Sequence, residues 1–555
     1  MISVRALLRR AVRPLPAGAQ NAMRELRERI AGVHDSAPAI AALRAREQSV
    51  IDAVVAEQRL QPGRLRILTS VLQQSPPWLD TAYGLATALR LRGHDVRGVL
   101  CDGALPLCEM TLGSQEPPPC EVCVGWLSRY EEAFGFAFGR LSSVLHADDR
   151  AWADALVANT DHADPAFDVD GLDLRRLARR ELQRYRRGFA FEPEADPAYT
   201  QWLTSALLVM RASGRLIERE RPDVLLLSSG RTLVAACLVA AARARGVRVV
   251  TWDTEPSFAD GLVFSHGEPA VQVPLDDAWA SAAEIPLTDA QRSEVRQFLG
   301  RWSRSDGTPF PYNPTPVDDE TGIRTALGLR PGARLITAFS NSAWDMAVVD
   351  RDVGFAHMFD WLFALVDYAR LHPEVDVVVR AHPAEVKVPV DLQSRTPVCD
   401  ELRARCAPLP PNLALVDGGS ALSSYVLAGM ADVAMVYSSR FGLELAVNGR
   451  QPWLAGDVTY RGKGFTRDLM SKADMVAALD AGEQSRALRA DEQVRAERFA
   501  HLWFFRGLVR APLLRPADGR FALHSFTQVA SGGDEAVDHI CDGVVRGTPF
   551  VRPAP

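Results

Sequence analysis

The chain has 555 residues, of which 47% are hydrophobic and 24% charged, and its formal net charge at pH 7 is −6. A chain of this length and composition is expected to form two or more globular domains. The slightly acidic balance gives no reason to expect a nucleic-acid partner. No stretch approaches the ~18 uninterrupted apolar residues that predict a membrane-spanning helix, and the first residues lack the apolar region of a signal peptide.

Residues 1–62 are rich in arginine and have a helical pattern, so we expect a helical N-terminal extension. Two interpretations remain open: a solvated helix, or a basic helix that contacts anionic lipid at the inner face of a membrane. The eight cysteines of the chain are too widely spread for a disulfide-bonded scaffold. Because reduced thiols are typical of the cytoplasm, we expect a cytoplasmic protein.

Residues 63–285 alternate between apolar strands and helices, which predicts a Rossmann-like domain built on a parallel sheet. A mostly helical insertion interrupts this pattern at about 125–220. The expected strands are 65–70, 95–101, 223–229 and 247–252, and the expected helices are 79–92 and 232–245.

Residues 286–330 are rich in Pro, Asp, Thr and Gly, which is typical of a linker between domains. A second α/β block covers 331–485, and 486–555 has the pattern of a helical segment followed by an irregular tail. The second block has a helix expected at 355–371 and strands expected at 334–340, 375–381, 413–418, 432–438 and 452–456. Two Rossmann-like parallel-sheet domains that face a cleft form the GT-B architecture. The same pattern also suits periplasmic-type binding proteins and some epimerases.

Polar residues cluster where two strands of the second block end. Arg380 and His382 follow one strand in the sequence VVRAHPAE, and Pro383 stops that strand from continuing. Ser438 and Ser439 follow another strand directly before a helix, whose free N–H groups suit a phosphate. Parallel strands that end at one sheet edge are typical of a nucleotide site. Taken singly, the serines could equally cap the helix, and the histidine could be structural.

Four further residues of this block extend the candidate site. Glu444, on the helix after the serines, could accept hydrogen bonds from ribose hydroxyls, or it could be a solvated surface residue. Lys463 lies between two glycines in a loop, so its ammonium could neutralise a phosphate or a sugar carboxylate, although an exposed loop lysine is the simpler alternative. Asn341 and Trp344 follow the first strand of the block, and Trp344 could stack on a sugar or pack between domains.

Acidic residues end a strand of the first block and are candidates for a general base. Asp253 and Glu255 lie in the sequence WDTEPSF, at the end of the strand at 247–252. Asp80 and His266 are further candidates in this block. Helix capping or ion pairing would explain any one of these residues taken alone.

Four of the eight cysteines fall within residues 101–123, with the spacing C-x6-C-x11-C-x2-C. Four thiolates match a structural zinc site in ligand number, and an iron–sulfur cluster takes the same number. We expect a structural zinc site, with an iron–sulfur cluster or unlinked thiols as the alternatives. The expected ligands are Cys101, Cys108, Cys120 and Cys123.

Six short motifs between residues 330 and 470 resemble, in their order, bacterial capsule polysaccharide biosynthesis proteins, which are similar to Kdo transferases and related GT-B enzymes. The motifs are TAFSNSAWD, FDWL, VVRAHPAE, SSYVL, VYSSRFGLELAVNGRQPWLAG and YRGKGFTRD. The resemblance of residues 65–270 is looser. The resemblance to this family implies a glycosyltransferase that moves a sugar from a nucleotide-activated donor to a growing surface glycan.

In relatives that use CMP-sugars, a His-Pro pair and a Ser-Ser pair contact the nucleotide phosphate and base, and an acidic residue binds the ribose. The resemblance implies these roles for His382, Ser438, Ser439 and Glu444, with a nucleotide sugar, CMP-linked in those relatives, as the donor. Arg440 and Phe441 stand where many relatives have smaller residues, which puts a CMP-Kdo donor in doubt.

The first domain is then expected to bind the glycan acceptor and to supply the base. Two other functions share this pattern. One is a non-catalytic, GT-B-like component of capsule export or assembly that binds nucleotide or glycan. The other is an epimerase that acts on a nucleotide sugar.

Overall fold

The structure, a computed structural model, describes residues 35–58, 62–70, 76–111, 120–159, 164–255, 258–303, 316–346, 348–517 and 522–553. Residues 1–34, which hold much of the expected basic extension, lie outside the described residues, so lipid contact by that segment stays a prediction. Within the described ranges, no helix combines the length and apolar character needed to cross a membrane.

Strands occur wherever the sequence predicted them in both α/β blocks. In chain order they are β1 (Arg66–Ser70), β2 (Asp95–Leu100), β3 (Gly139–Arg140), β4 (Asp168–Val169), β5 (Leu172–Asp173), β6 (Val224–Ser228), β7 (Arg248–Thr254), β8 (Gly261–His266), β9 (Leu335–Phe339), β10 (Asp376–Arg380), β11 (Leu413–Val416), β12 (Val433–Val436), β13 (Trp453–Leu454), β14 (Arg467–Asp468) and β15 (Val509–Arg510).

Helices separate most of these strands. In chain order they are α1 (Ala37–Gln58), α2 (Pro76–Leu91), α3 (Cys120–Phe134), α4 (Asp149–Asn159), α5 (Leu174–Arg186), α6 (Pro197–Glu220), α7 (Leu233–Ala244), α8 (Asp276–Ala282), α9 (Asp289–Ser303), α10 (Glu320–Leu327), α11 (Met358–Leu371), α12 (Val398–Arg405), α13 (Ser424–Met430), α14 (Phe441–Val447), α15 (Lys472–Asp480), α16 (Ala490–His501) and α17 (Glu535–Arg546).

The strands form two main sheets, one in each block. The first has the order β15-β8-β7-β6-β1-β2-β3, in which β8 is antiparallel to its neighbours β7 and β15 and the other pairs are parallel. The second has the order β11-β10-β9-β12-β13-β14 and is parallel throughout. Strands β6, β9, β10 and β12 are buried along their whole length, as expected when helices cover both faces of a parallel sheet. The predicted GT-B fold is confirmed.

The polypeptide returns to the first sheet after completing the second. Helix α16 is followed by β15, which pairs with β8, and α17 buries Val537, Ile540 and Val544 in the same apolar cluster as Leu89 of α2. Residues 286–330 contain helices α9 and α10. The domain boundaries given from the sequence stay predictions.

The two halves meet at Asp350, a residue of the second block with a left-handed backbone (φ +61°). Its carboxylate accepts hydrogen bonds from Arg176 Nε (2.8 Å), Arg180 Nη1 (3.3 Å) and Arg231 Nη2 (2.9 Å) of the first block. Arg231 Nη2 also donates to the carbonyl of Val349 at 2.7 Å. Burial alone would raise the pKa of Asp350, but Arg180, Arg231 and Arg176 hold it below its usual value. We call this set of residues the Asp350 clamp.

Replacing Asp350 by Asn should destabilise the protein because it leaves buried guanidinium groups without their anion. Asn tolerates the left-handed backbone, so the charge is the main change. We expect a loss of about 3 kcal/mol in the free energy of unfolding at pH 7, measured by urea denaturation. Because the pKa of Asp350 is lowered in the folded state, this difference should shrink as the pH falls below about 4.

Asp276→Asn is the matched control for that experiment. Asp276 also pairs across the two halves, with Lys463, but its side chain is 78% exposed. The Lys463 side chain is 10% exposed, but water reaches the Asp276 carboxylate and can take its place, so we expect a loss of about 0–1 kcal/mol. Equal losses in the two variants would contradict a special role for the Asp350 clamp.

Candidate functional site

A cavity of about 690 Å³ lies between the two halves. Its wall includes the ends of β7 from the first sheet and the segments that follow β9, β10 and β12 of the second sheet. The residues predicted for the site that line it are Asp253, Glu255, Asn341, Arg380, His382, Ser438, Ser439 and Glu444. The fold therefore brings most of the predicted residues to one cleft.

Arg380, the last residue of β10, is 2% exposed. Its guanidinium donates to the carbonyl of Asp417, to the carbonyl of Ser420 at 3.1 Å and to Ser424 Oγ at 3.4 Å. The carboxylate of Asp417 is held instead by Arg403, at 3.0 and 2.9 Å. Burial lowers the pKa of Arg380 to about 10, so it remains a cation at neutral pH. No described carboxylate forms a hydrogen bond with this buried cation.

His382 is fixed in orientation by the turn that follows it. Its Nδ1 accepts the N–H of Ala384 at 3.1 Å and caps the 3₁₀ turn Pro383–Glu385. Burial, together with the neighbouring charges of Arg380 and Arg440, lowers the pKa of His382 to about 4. A neutral imidazole that accepts through Nδ1 carries its proton on Nε2. The ring can therefore donate a hydrogen bond from Nε2.

The two serines after β12 have different local roles. Ser439 Oγ accepts the N–H of Phe441 at 3.2 Å, so it caps the first turn of α14. Ser438 Oγ is buried and has no partner among the described residues. The N–H of Ser438 donates to Asn341 Oδ1 at 3.1 Å, which ties the end of β12 to the end of β9.

Two further serines in the cleft wall were missed from the sequence. Ser340 and Ser342 flank Asn341, are 2% and 7% exposed, and line the cavity. Their hydroxyls, like that of Ser438, are buried without a partner among the described residues. The available signal was the run Ser-Asn-Ser directly after a buried strand. Buried hydroxyls are normally hydrogen-bonded, so these three in one wall are available to a ligand or to water in the cavity.

Glu444 lies in the cleft wall but is held by neighbouring side chains. Tyr425 Oη donates to Glu444 Oε2 at 2.5 Å, and Arg440 Nε donates to Oε1 at 3.2 Å. The carboxylate is 4% exposed, so it is not a solvated surface residue. A carboxylate has about four lone-pair positions, so it can still accept from a ligand hydroxyl.

Asp253 and Glu255 face this wall from the end of β7 in the first half. Both are buried, at 8% and 7% exposed. Asp253 Oδ1 accepts the N–H of Thr254 at 2.7 Å. Burial raises the pKa of Asp253 to about 7, a value suited to proton exchange at neutral pH.

Lys463 does not line the cavity. Its ammonium binds the carboxylate of Asp276, so it connects the second half to helix α8 of the first half. The prediction that Lys463 contacts the donor is therefore unsupported by the placement of the residue. Two nearby contacts also cross between the halves: Thr459 Oγ1 donates to the Val273 carbonyl at 2.6 Å, and Arg351 Nη2 to the Gln272 carbonyl at 3.1 Å.

The remaining candidates fall into two groups. Trp344 lines the cavity, with its Nε1 donating to Ser394 Oγ at 3.1 Å. Asp80 lies outside the lining and accepts hydrogen bonds from Ser36 Oγ and Tyr130 Oη, both at 3.0 Å. His266 Nε2 contacts the carbonyl of Thr548 at 2.9 Å, also outside the cavity lining. Asp80 and His266 therefore have local partners rather than a place in the cleft wall.

The structure does not support the predicted metal centre at the four cysteines. Among the described residues, no three His, Cys, Asp or Glu side chains are grouped so that they could hold a metal ion. Cys101 and Cys108 instead pack against the apolar core on one face of the first sheet, and Cys120 and Cys123 lie on helix α3. Burial raises the pKa of the Cys108 thiol to about 12, which disfavours the thiolate that a metal requires.

Comparison with protein-family profiles and with curated proteins finds no match. Among solved structures, the chain is similar to Thermosulfurimonas dismutans KpsC, beta Kdo 2,4 transferase, with a TM-score of 0.32 and 14% identity over 50% of this chain and 79% of that one. It is similar to the beta Kdo 2,7 transferase of the same KpsC with a TM-score of 0.28 and 13% identity, over 52% and 80%.

A third similar structure is the Methanocaldococcus jannaschii UDP-GlcNAc 2-epimerase in complex with UDP-GlcNAc and UDP. Its TM-score is 0.26 and its identity 8%, over 79% of this chain and 99% of that one. At these TM-scores and identities the likenesses do not bear on the reaction. The reaction is therefore inferred from the residues of the cleft alone.

The protonation state of His382 can be tested directly. Because its pKa is lowered to about 4, the imidazole should remain neutral above pH 5.5. We expect the NMR resonance of His382, assigned by its loss in His382→Gln, to stay unchanged between pH 5.5 and 8.5. A titration midpoint near 6.5, the ordinary value for histidine, would contradict the buried environment described above.

Proposed function

We propose that the chain is a glycosyltransferase that moves a sugar from a nucleotide-activated donor to a surface or capsule-type glycan. The observation that carries this proposal is the composition of the second block's cleft wall. A buried cation, Arg380, lies in the wall with the neutral imidazole of His382 and the unpaired hydroxyls of Ser340, Ser342 and Ser438. These groups can donate hydrogen bonds, and the cation favours a negative ligand, as a nucleotide phosphate would be.

The opposite wall supplies the second requirement of sugar transfer. Asp253 faces the same cavity and has a pKa of about 7, so it can accept a proton near neutral pH. In the proposed step, the acceptor oxygen bonds to the anomeric carbon and its proton passes to Asp253. The bond from the anomeric carbon to the phosphate oxygen breaks, and its electron pair stays on the phosphate. Arg380 and His382 are placed to stabilise that charge.

The remaining residues of the wall fit binding of the nucleoside. Glu444, held by Tyr425 and Arg440, can accept from ribose hydroxyls. Phe441 packs against the ring of Tyr425 at 5.1 Å and against Phe339 at 4.8 Å, which makes this end of the cleft aromatic. An aromatic wall suits a nucleobase, whether the nucleotide is CMP or another.

Replacing His382 by Ala should slow sugar transfer because the departing phosphate loses a hydrogen-bond donor. The assay measures nucleotide release from a panel of UDP-glucose, UDP-N-acetylglucosamine, GDP-mannose, dTDP-glucose and CMP-Kdo. We expect the wild type to release nucleotide from at least one of these donors, and the variant to do so with a roughly 100- to 1,000-fold lower kcat. His372→Ala is the control, since His372 pairs with Glu374 at 3.1 Å away from the cavity. Wild-type turnover by His382→Ala would refute the assignment.

The same panel separates the alternatives. A non-catalytic binding protein would release no nucleotide from any donor. An epimerase would convert the donor sugar to its epimer with no acceptor present. Neither outcome is expected for a transferase, which releases nucleotide together with a new glycosidic bond.

Replacing Asp253 by Asn should remove the base while keeping the shape of the side chain. We expect kcat to fall by about 100- to 10,000-fold. In the wild type, activity should rise with pH through about 7, because only the ionised carboxylate accepts the proton. Measuring kcat against pH in the wild type and in Asp253→Asn checks both expectations. If the residual activity of Asp253→Asn still falls as the pH drops below about 7, another residue is the base.

A further inference from the structure

A second cavity, of about 680 Å³, lies beside the hairpin that connects β7 to β8. Its wall includes Phe258 of that hairpin, residues of helix α9, residues that follow α16, and Arg552 near the end of the described chain. We call this cavity the arginine groove and define it by the guanidinium groups that line it, those of Arg301, Arg510 and Arg552. The groove is distinct from the cleft, since no described residue lines both.

Positive charge predominates in the arginine groove. The carboxylate that lines it is that of Glu294, against three guanidinium groups. Arg301 lies over the ring of Phe298 at 5.6 Å, and Arg552 is held through its backbone, whose N–H donates to the carbonyl of Arg506 at 3.0 Å. Within the described part of the chain, neither the Arg301 nor the Arg552 guanidinium forms an ion pair. These two cations are therefore available to an anionic ligand.

Aromatic rings lie next to these charges. The ring of Phe258 stacks on that of Phe298 at 5.0 Å between centroids, and Phe298 also contacts Phe505 at 5.7 Å. Phe258 and Phe505 line the groove and are partly exposed. The guanidinium of Arg510 lies over the Phe258 ring at 4.3 Å and pairs with Asp260 at 2.5 Å. The groove thus combines aromatic surface with guanidinium donors.

Two chain segments each contribute to both the cleft and the arginine groove. In the hairpin, Glu255 lines the cleft and Phe258 lines the groove, and the N–H of Phe258 donates to the carbonyl of Glu255 at 3.1 Å. In the π-helical stretch Leu502–Arg506, Trp503 lines the cleft and Phe504 lines the groove, with 5.0 Å between their ring centroids. The two cavities are therefore neighbours, and a ligand made of several linked units can reach from one to the other.

The chemistry of the arginine groove favours a sugar that carries a carboxylate. A guanidinium binds a carboxylate through two parallel hydrogen bonds, and an aromatic ring offers an apolar surface to the apolar side of a sugar ring. A phosphate alone would use the guanidinium groups and leave the aromatic surface uncovered. The groove adjoins the hairpin of Asp253, whereas the groups suited to the nucleotide phosphate lie in the wall of the second block.

We propose that the arginine groove is a subsite for the acceptor glycan, which binds a carboxylate-bearing sugar unit behind the end that reacts. This inference rests on the proposed function, in which the acceptor oxygen meets Asp253 in the neighbouring cleft. It gives the acceptor a chemical class, an acidic oligosaccharide. It also gives the C-terminal return of the chain a part in substrate binding, through Arg510 and Arg552.

Binding of an acidic oligosaccharide tests the groove without turnover. The probe is a fluorescently labelled tetramer of galacturonic acid, and the matched neutral probe is a tetramer of galactose with the same label. We expect the wild type to bind the acidic tetramer about 10-fold more tightly than the neutral one, measured by fluorescence anisotropy. Added salt should weaken the binding of the acidic tetramer, because it screens the charges of the groove.

Replacing Arg301 and Arg552 together by Gln should weaken binding of the acidic tetramer by about 10-fold. Since neither guanidinium forms an ion pair within the described residues, we expect the variant to fold, and a cooperative melt checks this. The control replaces Arg150 and Arg546 by Gln. These two arginines form exposed ion pairs within helices and line neither cavity, so the control removes the same charge elsewhere and should bind the acidic tetramer like the wild type.

Equal affinity of the two double variants for the acidic tetramer would overturn this inference, and so would a wild type that binds the acidic and neutral tetramers equally. Binding to phosphatidylglycerol vesicles that depends on Arg301 and Arg552, without binding of the acidic tetramer, would assign the groove to a lipid surface and overturn it too. Each of these results leaves nucleotide release from the donor panel intact. If the wild type releases no nucleotide from any donor, the proposed function fails instead.

Discussion

The charge of Arg380 is the constraint on which the account of the cleft depends. A guanidinium that is 2% exposed is costly to bury, and its hydrogen bonds go to two carbonyl oxygens and one hydroxyl. Those dipoles solvate the cation without cancelling its charge, so Arg380 favours a negative ligand beside it. His382 is neutral chiefly because it is buried, and an imidazolium next to Arg380 would also be repelled. In the proposed transfer, these groups supply the electrostatic preorganisation that favours departure of a phosphate.

The second requirement is that the two halves stay together around this wall. The Asp350 clamp joins them, and the contacts of Thr459, Arg351 and Lys463 also cross between them. The chain also returns to the first sheet through β15 and α17. Asp253 and Arg380 therefore face one cavity although they belong to different sheets. Lys463, which the sequence predicted to bind the donor, pairs with Asp276 and so connects the two halves.

The elements of both blocks could be predicted because their strands are continuous apolar runs, such as DVVVR in β10, that turn polar where the sheet edge begins. The same pattern located Arg380, His382 and Ser438 at the cleft. Strand β15 could not be predicted, since its two residues join the first sheet from a distance of more than 200 positions along the chain. Ser340 and Ser342 were missed because hydroxyls after a strand are common, and only their burial without partners makes them informative.

For the cysteines, the sequence predicted a site that the structure does not support. Their spacing in the sequence suggested four ligands, but Cys101 and Cys108 pack against apolar side chains, while Cys120 and Cys123 belong to helix α3. Sequence distance does not report which way a side chain faces. The same limit applies to Asp80, whose partners Ser36 and Tyr130 are 44 and 50 positions away.

The central claim is that the wall around Arg380 binds a nucleotide phosphate, and equilibrium binding tests it most directly. The purified wild-type protein should be melted in the presence of CMP, UDP, GDP and dTDP in turn. A nucleotide present at about 100 times its Kd stabilises the folded state by about 2.7 kcal/mol, so we predict that at least one of the four raises the Tm by roughly 2 °C. A Tm that none of the four nucleotides changes, in a protein that melts cooperatively, would contradict the account.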